Sequence, residues 1–310
     1  MQTGCAGWAR RGDKGMNRRR FLTISAGMVL ASGLPAVALQ GVQWRGQALG
    51  ARATITLDRD DPALMEAIRS EISRLEDVFS LYRPESALSR LNRDGALDGP
   101  PQELADCLSL AGAVHAATGG LFDPTVQPLW LAYAAAQGSP DPAAIASLPL
   151  GWDRVRAEPG RIALDPGMAL TLNGIAQGYI ADRVAALIRA RGYDRVLVDT
   201  GELRALGPAP DGRPWPVNWQ GGGGIGLMDR ALASSAPMGT LFDAGGAGHI
   251  LDPRTRRPAA PRWGLVSVSS TSAAVADALS TGFCLMPDTA AMRAACEHFR
   301  DTRVELARDA

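Results

Sequence analysis

Cysteine is scarce in this chain of 310 residues: there are four, and Cys5 precedes the segment read below as an export signal. The other three, Cys107, Cys284 and Cys296, are odd in number and widely spaced, which argues against a disulfide framework. A Cys284 to Cys296 pair stays open beside the reading that both are buried thiols in apolar helical patterns. Excess charge of either sign is also missing. Basic and acidic residues number 32 each, and the bases are nearly all arginine and scattered, so no long cationic surface offers itself to nucleic acid. The chain has no glycine-rich P-loop with its lysine, no Gly-x-Ser-x-Gly elbow, no His-Glu-x-x-His and no Cys-x-x-Cys. Kinases, serine hydrolases, zinc peptidases and redox dithiols all lose weight.

Long hydrophobic runs are absent too. The apolar stretch from Ile24 to Leu34 is broken by Ser25, Gly27, Ser32 and Gly33 and falls short of the roughly 20 residues a membrane-spanning helix needs. It follows Asn17-Arg18-Arg19-Arg20-Phe21-Leu22 and precedes Ala36-Val37-Ala38, the pattern of a twin-arginine export signal. Residues 1–38 are therefore expected to be the signal, with Met1 and Met16 as alternative starts. Residues 39–310 are expected to form one domain that works in the periplasm without spanning the membrane.

Within that domain, alternation from Ala51 to Leu57 predicts a strand, and Asp61-Pro62 opens a helical pattern carrying Leu64, Ile68, Leu75 and Phe79. Helices are expected from about Gln102 to Ala117, Ala176 to Ala190, Ala273 to Phe283 and Thr289 to Phe299, with a buried strand at 195–199. The Pro-, Gly- and Trp-rich stretch 208–226 reads as a hairpin and loop. Short apolar runs follow at 231–235 and 265–268. Strands and helices interleave without a βαβ period, which favours an α+β fold over a Rossmann sheet.

Few residues here carry chemistry. Asp277 and Thr281 stand four apart in a helical pattern, a carboxylate and a hydroxyl on one face that suit a hard cation, although polar helix positions of this kind are common. Asn173-Gly174 leads into a helix, either as a cap or as a close approach for an anionic ligand at the helix N-terminus. Of three histidines, His249 follows a glycine-rich run and is the best functional candidate, whereas His115 lies in an apolar helix and His298 near a helix end. Phe122-Asp123-Pro124-Thr125 is either a plain Asp-Pro turn or a ligand contact.

Read in order, five segments resemble the FAD:protein FMN transferases of the ApbE family. They are 79–92 with its Phe-Ser-Leu-Tyr-Arg-Pro start, 119–126, 172–182, 248–255 and 276–281, and together they span nearly the whole mature chain. The resemblance implies a T-fold-like α+β domain in which helices pack on a mixed or antiparallel sheet. It implies binding of FAD with Mg2+ and transfer of FMN to a threonine or serine of an exported or membrane-bound electron-transfer flavoprotein, with release of AMP. By position, Asp277 and Thr281 would be side-chain metal ligands and Gly174 would add its carbonyl. Leu49, Tyr82, Asn92, Leu121, Phe122, Asp123, Gln177, His249 and Ile250 fall where the family contacts FAD; His249 and Asp277 would be the catalytic pair. The chain departs from the family in having Thr171 where an Asp is usual and Gln177 where a Lys is usual. A neutral amide still donates a hydrogen bond, so altered affinity is expected rather than a dead site. The export signal with Gly-Ile-Ala-Gln-Gly-Tyr also resembles the branch serving nitrous oxide reductase maturation, whose acceptor is a membrane flavoprotein. Two other readings remain: an FAD pyrophosphatase, and a flavin-binding protein without turnover.

Overall fold

The structure is a computed structural model that describes residues 28–29, 42–219, 221–242 and 246–310. The twin-arginine motif lies outside the described residues.

Seven strands form the main sheet: β1 (Val42–Ala48), β2 (Ala51–Leu57), β3 (Val196–Asp199), β4 (Leu203–Leu206), β5 (Ala231–Ser235), β6 (Trp263–Ser270) and β7 (Arg303–Asp309). Each strand pairs antiparallel with the next in sequence, so the sheet is a meander into which long excursions have been inserted. The longest, residues 58–195, leaves the sheet after β2 and returns at β3, where Thr54 pairs with Asp199. Hairpin-type neighbours need no crossover, so insertions of any length leave the register intact.

Side-chain caps show why the first two helices begin where they do. Asp61 accepts a hydrogen bond from the Leu64 amide at 2.9 Å and Pro62 fills the first turn of α1 (Pro62–Phe79), whose Leu64, Ile68, Ile72, Leu75 and Phe79 are buried. Ser86 caps α2 (Ala87–Asp94) in the same way, and Gly95 ends it with a left-handed φ of 72°. α3 (Gln102–Ala117), α4 (Gln127–Ala135) and α5 (Pro142–Ala146) complete the long excursion before α6 (Ala176–Ala190); α7 (Ala273–Phe283) and α8 (Thr289–Cys296) lie between β6 and β7. α8 stops at Cys296, short of the expected Phe299, because residues after it turn rather than continue the helix.

The two faces of the sheet bury different things. Val196 and Val198 of β3 join the large core made with α1, α3, α6 and α7, while Leu197 between them joins a second cluster with Leu203 and Leu232. Trp215, Val217 and Leu227 close that cluster from a hairpin of Trp215–Trp219 and Gly224–Leu227, the element expected from the Pro- and Gly-rich stretch. A strand buried on both faces explains why Val-Leu-Val shows no alternation. Met28–Val29 pairs along the outer edge of the hairpin. Cys107, Cys284 and Cys296 are all buried free thiols, so the Cys284 to Cys296 pair left open above is not formed. Among the described residues no helix is long and apolar enough to cross a membrane.

Two contacts fix α6 against α7. A Cβ added at Gly178 would stand 2.2 Å from the Ala273 carbonyl oxygen, so only glycine allows this approach. One turn on, Asp182 accepts from the Ser272 hydroxyl at 2.8 Å, the Ala274 amide at 3.2 Å and the Arg204 Nε at 3.2 Å, tying the start of α7 to α6 and β4.

Candidate active site

The N-terminal turn of α6, the middle of α7 and the ends of β4 and β5 converge on a cleft. Leu121, Phe122, Asp123, Thr171, Gly174, Gln177, His249, Ile250, Asp277 and Thr281 all line it, although they come from segments far apart in the chain. Leu49, Tyr82 and Asn92 are not among its lining residues. Asn92 instead clamps Leu170, donating to its carbonyl at 2.8 Å and accepting from its amide at 2.7 Å. Leu49 sits in the β1–β2 turn at φ 47° and donates its amide to Glu76 at 2.8 Å. Glu76 also pairs with Arg83, so one carboxylate joins the Leu49 turn to the loop that carries Tyr82, which is 55% exposed.

Asp277 and Thr281 face the cleft together, as their i, i+4 spacing in α7 predicts. The Asp277 carboxylate is buried, and its Oδ2 accepts from the Gly178 amide at 3.1 Å. The first turn of α6 was expected to offer its amides to an anion, and here one of them is used by Asp277. α6 has no side-chain cap, and Asn173 stands exposed on the cleft wall, so the cap reading of Asn173-Gly174 does not hold. Gly174 packs closely on the cleft wall: a Cβ there would lie 3.0 Å from Thr281 Oγ1 and 3.4 Å from the Phe122 ring. Thr171 accepts from the Asn173 amide at 3.3 Å and donates its own amide to Pro124 at 2.9 Å, which shapes the bend leading to Gly174.

Asp123 makes the expected turn and also stands on the cleft wall. Its Oδ1 accepts from the Thr125 amide at 2.8 Å and the Thr125 hydroxyl at 2.7 Å, capping a short 3-10 turn, while the residue also lines the cleft. His115 is a packed histidine whose Nδ1 meets the Phe122 carbonyl at 2.9 Å and so holds the wall residue next to Asp123. The His249 ring has its Nδ1 3.1 Å from the Thr240 carbonyl. Burial lowers its pKa below the usual histidine value, against the opposing pull of the Thr240 and Pro237 carbonyls, so the ring is neutral at pH 7.

Sequence reasoning missed Glu202, Ser234 and Ser235. Glu202 is buried on the cleft wall and accepts from the Ser234 amide at 3.3 Å. Burial first, then the Asp277 and Asp199 carboxylates, push its pKa well above the usual range. Burial pushes Asp277 up to about 7. No basic side chain figures among the charges acting on either, so the cleft holds acid groups short of positive charge. Among the described residues no three His, Cys, Asp or Glu side chains form a metal cluster. A carboxylate, the Thr281 hydroxyl and the adjoining Gly174 bend are all-oxygen donors, and they fit a hard divalent cation that keeps part of its water.

The α+β domain thus carries an acidic, oxygen-lined cleft beside a glycine-dependent helix crossing. The chain belongs to the ApbE family, whose pattern it matches over residues 49–304. It is similar to the FAD:protein FMN transferase of Chlamydia pneumoniae, 28% identical over 72% of this chain and 76% of the relative. It is also similar to that of Vibrio cholerae, 27% identical over 89% and 90%. Among solved structures, a mutant of the flavin transferase ApbE from Vibrio cholerae superposes with a TM-score of 0.73 at 25% identity, covering 85% of this chain and 91% of the other. The apbe protein of Thermotoga maritima does so with 0.73 at 26% identity, covering 82% and 90%.

Proposed function

We propose that the chain is an FAD:protein FMN transferase that moves FMN from FAD to a threonine or serine hydroxyl of an acceptor flavoprotein and releases AMP. The observation that carries the reading is the convergence of four distant motifs on one cleft, with Asp277 and Thr281 facing it side by side. Names borne by relatives over most of both chains support it.

The acceptor oxygen attacks the phosphorus on the riboflavin side, a P–O bond forms to the acceptor, the pyrophosphate bridge breaks, and AMP carries away the bridging oxygen. Asp277, Thr281 and the Gly174 carbonyl would hold Mg2+, which when bound would supply positive charge against the pyrophosphate. This chain's own residues position the reactants: Leu121, Phe122 and Ile250 give apolar walls that exclude water, and Gln177 donates to FAD oxygens where relatives of the family carry a lysine. The side chain of Gln177 is packed against Gly201, where a Cβ would stand 3.0 Å from its Nε2, so the amide is held in one place. A neutral His249 can accept a proton from the incoming hydroxyl or orient a phosphate oxygen. The enzyme works in the periplasm after twin-arginine export, and a membrane flavoprotein of nitrous oxide reductase maturation is the acceptor class its motifs favour.

Intact mass of such an acceptor domain, after incubation with this protein, FAD and Mg2+, tests the reading. A gain of one FMN that a chelator abolishes is the expected result. AMP release without any gain would replace the transferase with a pyrophosphatase, and no AMP at all would leave a flavin-binding protein.

A further inference from the structure

Glu202 lies in the Thr200-Gly201-Glu202 bend that joins β3 to β4, a place where an acidic side chain would ordinarily face water. Here it is 7% exposed and turned onto the cleft wall. Its surroundings close a circuit around the Asp277–Thr281 pair. On one side, Oε2 accepts from the Ser234 amide, and the next residue, Ser235, places its hydroxyl 3.3 Å from Thr281 Oγ1 and 2.7 Å from Ser280 Oγ. On the other side, Gly201 packs on the Gln177 side chain and the Thr200 hydroxyl donates to the Gln177 carbonyl at 3.2 Å. Gln177 is followed by Gly178, whose amide binds Asp277. A strand bend and a helix thus bring two buried carboxylates to one cavity.

Among the described residues neither carboxylate forms an ion pair, although twelve different arginines there do. A buried acid that keeps one oxygen toward a cavity and has no cationic side chain beside it needs its counter-charge from what enters the cavity. We propose that Glu202 is a further ligand of the cation site, facing the ion bound by Asp277 and Thr281 either directly or through one of its waters. The inference rests on the cation reading above and extends it: the site would carry two negative charges rather than one, enough to hold a divalent ion before FAD arrives.

The test reads metal binding on the protein without FAD, using Mn2+ as the probe and electron paramagnetic resonance to count free ion, with Mg2+ as competitor. Glu202→Gln keeps size and the hydrogen bond from Ser234, and is expected to weaken Mn2+ affinity at least tenfold, with Glu202→Asp falling between. Affinity within twofold of the native protein would overturn the proposal. Should Glu202→Gln fail to fold by circular dichroism, isotope-edited infrared spectra of the native protein carrying 13C-labelled glutamate decide the matter. A glutamate carboxylate band that moves on adding Mg2+ supports it, and an unmoved band overturns it. Failure of FMN transfer with Mn2+ binding intact would sink the transferase reading alone, whereas a native protein that binds no Mn2+ would remove the cation site and this ligand with it.

Discussion

At the scale of single residues the cleft sets acid groups against a lack of positive charge, and the predictions follow from that. Asp277→Ala removes the carboxylate that both receives Gly178 and faces the substrate, so transfer should fall by roughly 10²–10³-fold or more, in line with losing a charge-stabilising group. FMN incorporation timed by acceptor mass measures it, and near-native rates would refute the assignment. His249 gives a pH signature. Its folded pKa is lowered, so as pH falls below the ordinary histidine value the unfolded chain takes up the proton first and stability drops. The stabilisation is present above about pH 6.5 and fades as pH falls toward the folded pKa. Melting temperatures at pH 7.5 and 5.5 should therefore converge in His249→Asn relative to the native protein. Asp277 and Thr281 were legible from spacing alone because a helix repeats every turn. Glu202 was not, because a bend between two strands has no period to betray which way its side chain points.

At the scale of elements, the crossing of α6 and α7 is the feature most sensitive to change. Gly178→Ala pushes a methyl into the Ala273 carbonyl, and the helices must part by more than rotamer adjustment can absorb. Overpacking of this kind costs roughly 1–3 kcal/mol, to be read from urea denaturation midpoints, and it should also weaken cation binding because Gly178 and Asp277 separate. A neutral outcome would mean the crossing is looser than drawn. The sequence foretold the elements with a clear period: the strand at Ala51–Leu57 and the helices at Gln102–Ala117, Ala176–Ala190 and Ala273–Phe283 stand where periodicity put them. It did not foretell β1 and β7, which form the two edges of the sheet. Val-Gln-Trp-Arg-Gly-Gln-Ala and Arg-Val-Glu-Leu-Ala-Arg-Asp carry the charges and glycine by which edge strands avoid pairing with other chains, and those same residues hide a strand from pattern reading.

At the scale of the whole molecule, α+β class was readable from the absence of a βαβ rhythm, but the meander order was not, since it depends on partners brought together across residues 58–195. The site inherits that dependence: its walls come from 121–130, 171–177, 202, 234–240, 249–251 and 277–285. Delivery to the periplasm is expected to depend on the arginine pair, so replacing both Arg18 and Arg19 by lysine should leave the protein in the cytoplasm, read by fractionation and immunoblot. Export unchanged by that double substitution would refute the twin-arginine assignment.

The late position of α7 has a consequence for synthesis. A growing chain can lay down β1, β2 and the entire helical excursion, yet it owns no part of the acidic pair's second half until residue 277 has emerged and β6 has closed beside β5. Pairings as distant as Thr54 with Asp199 make such closure slow. Fragments that stop short of residue 277 lack Asp277 and are expected to show no transfer.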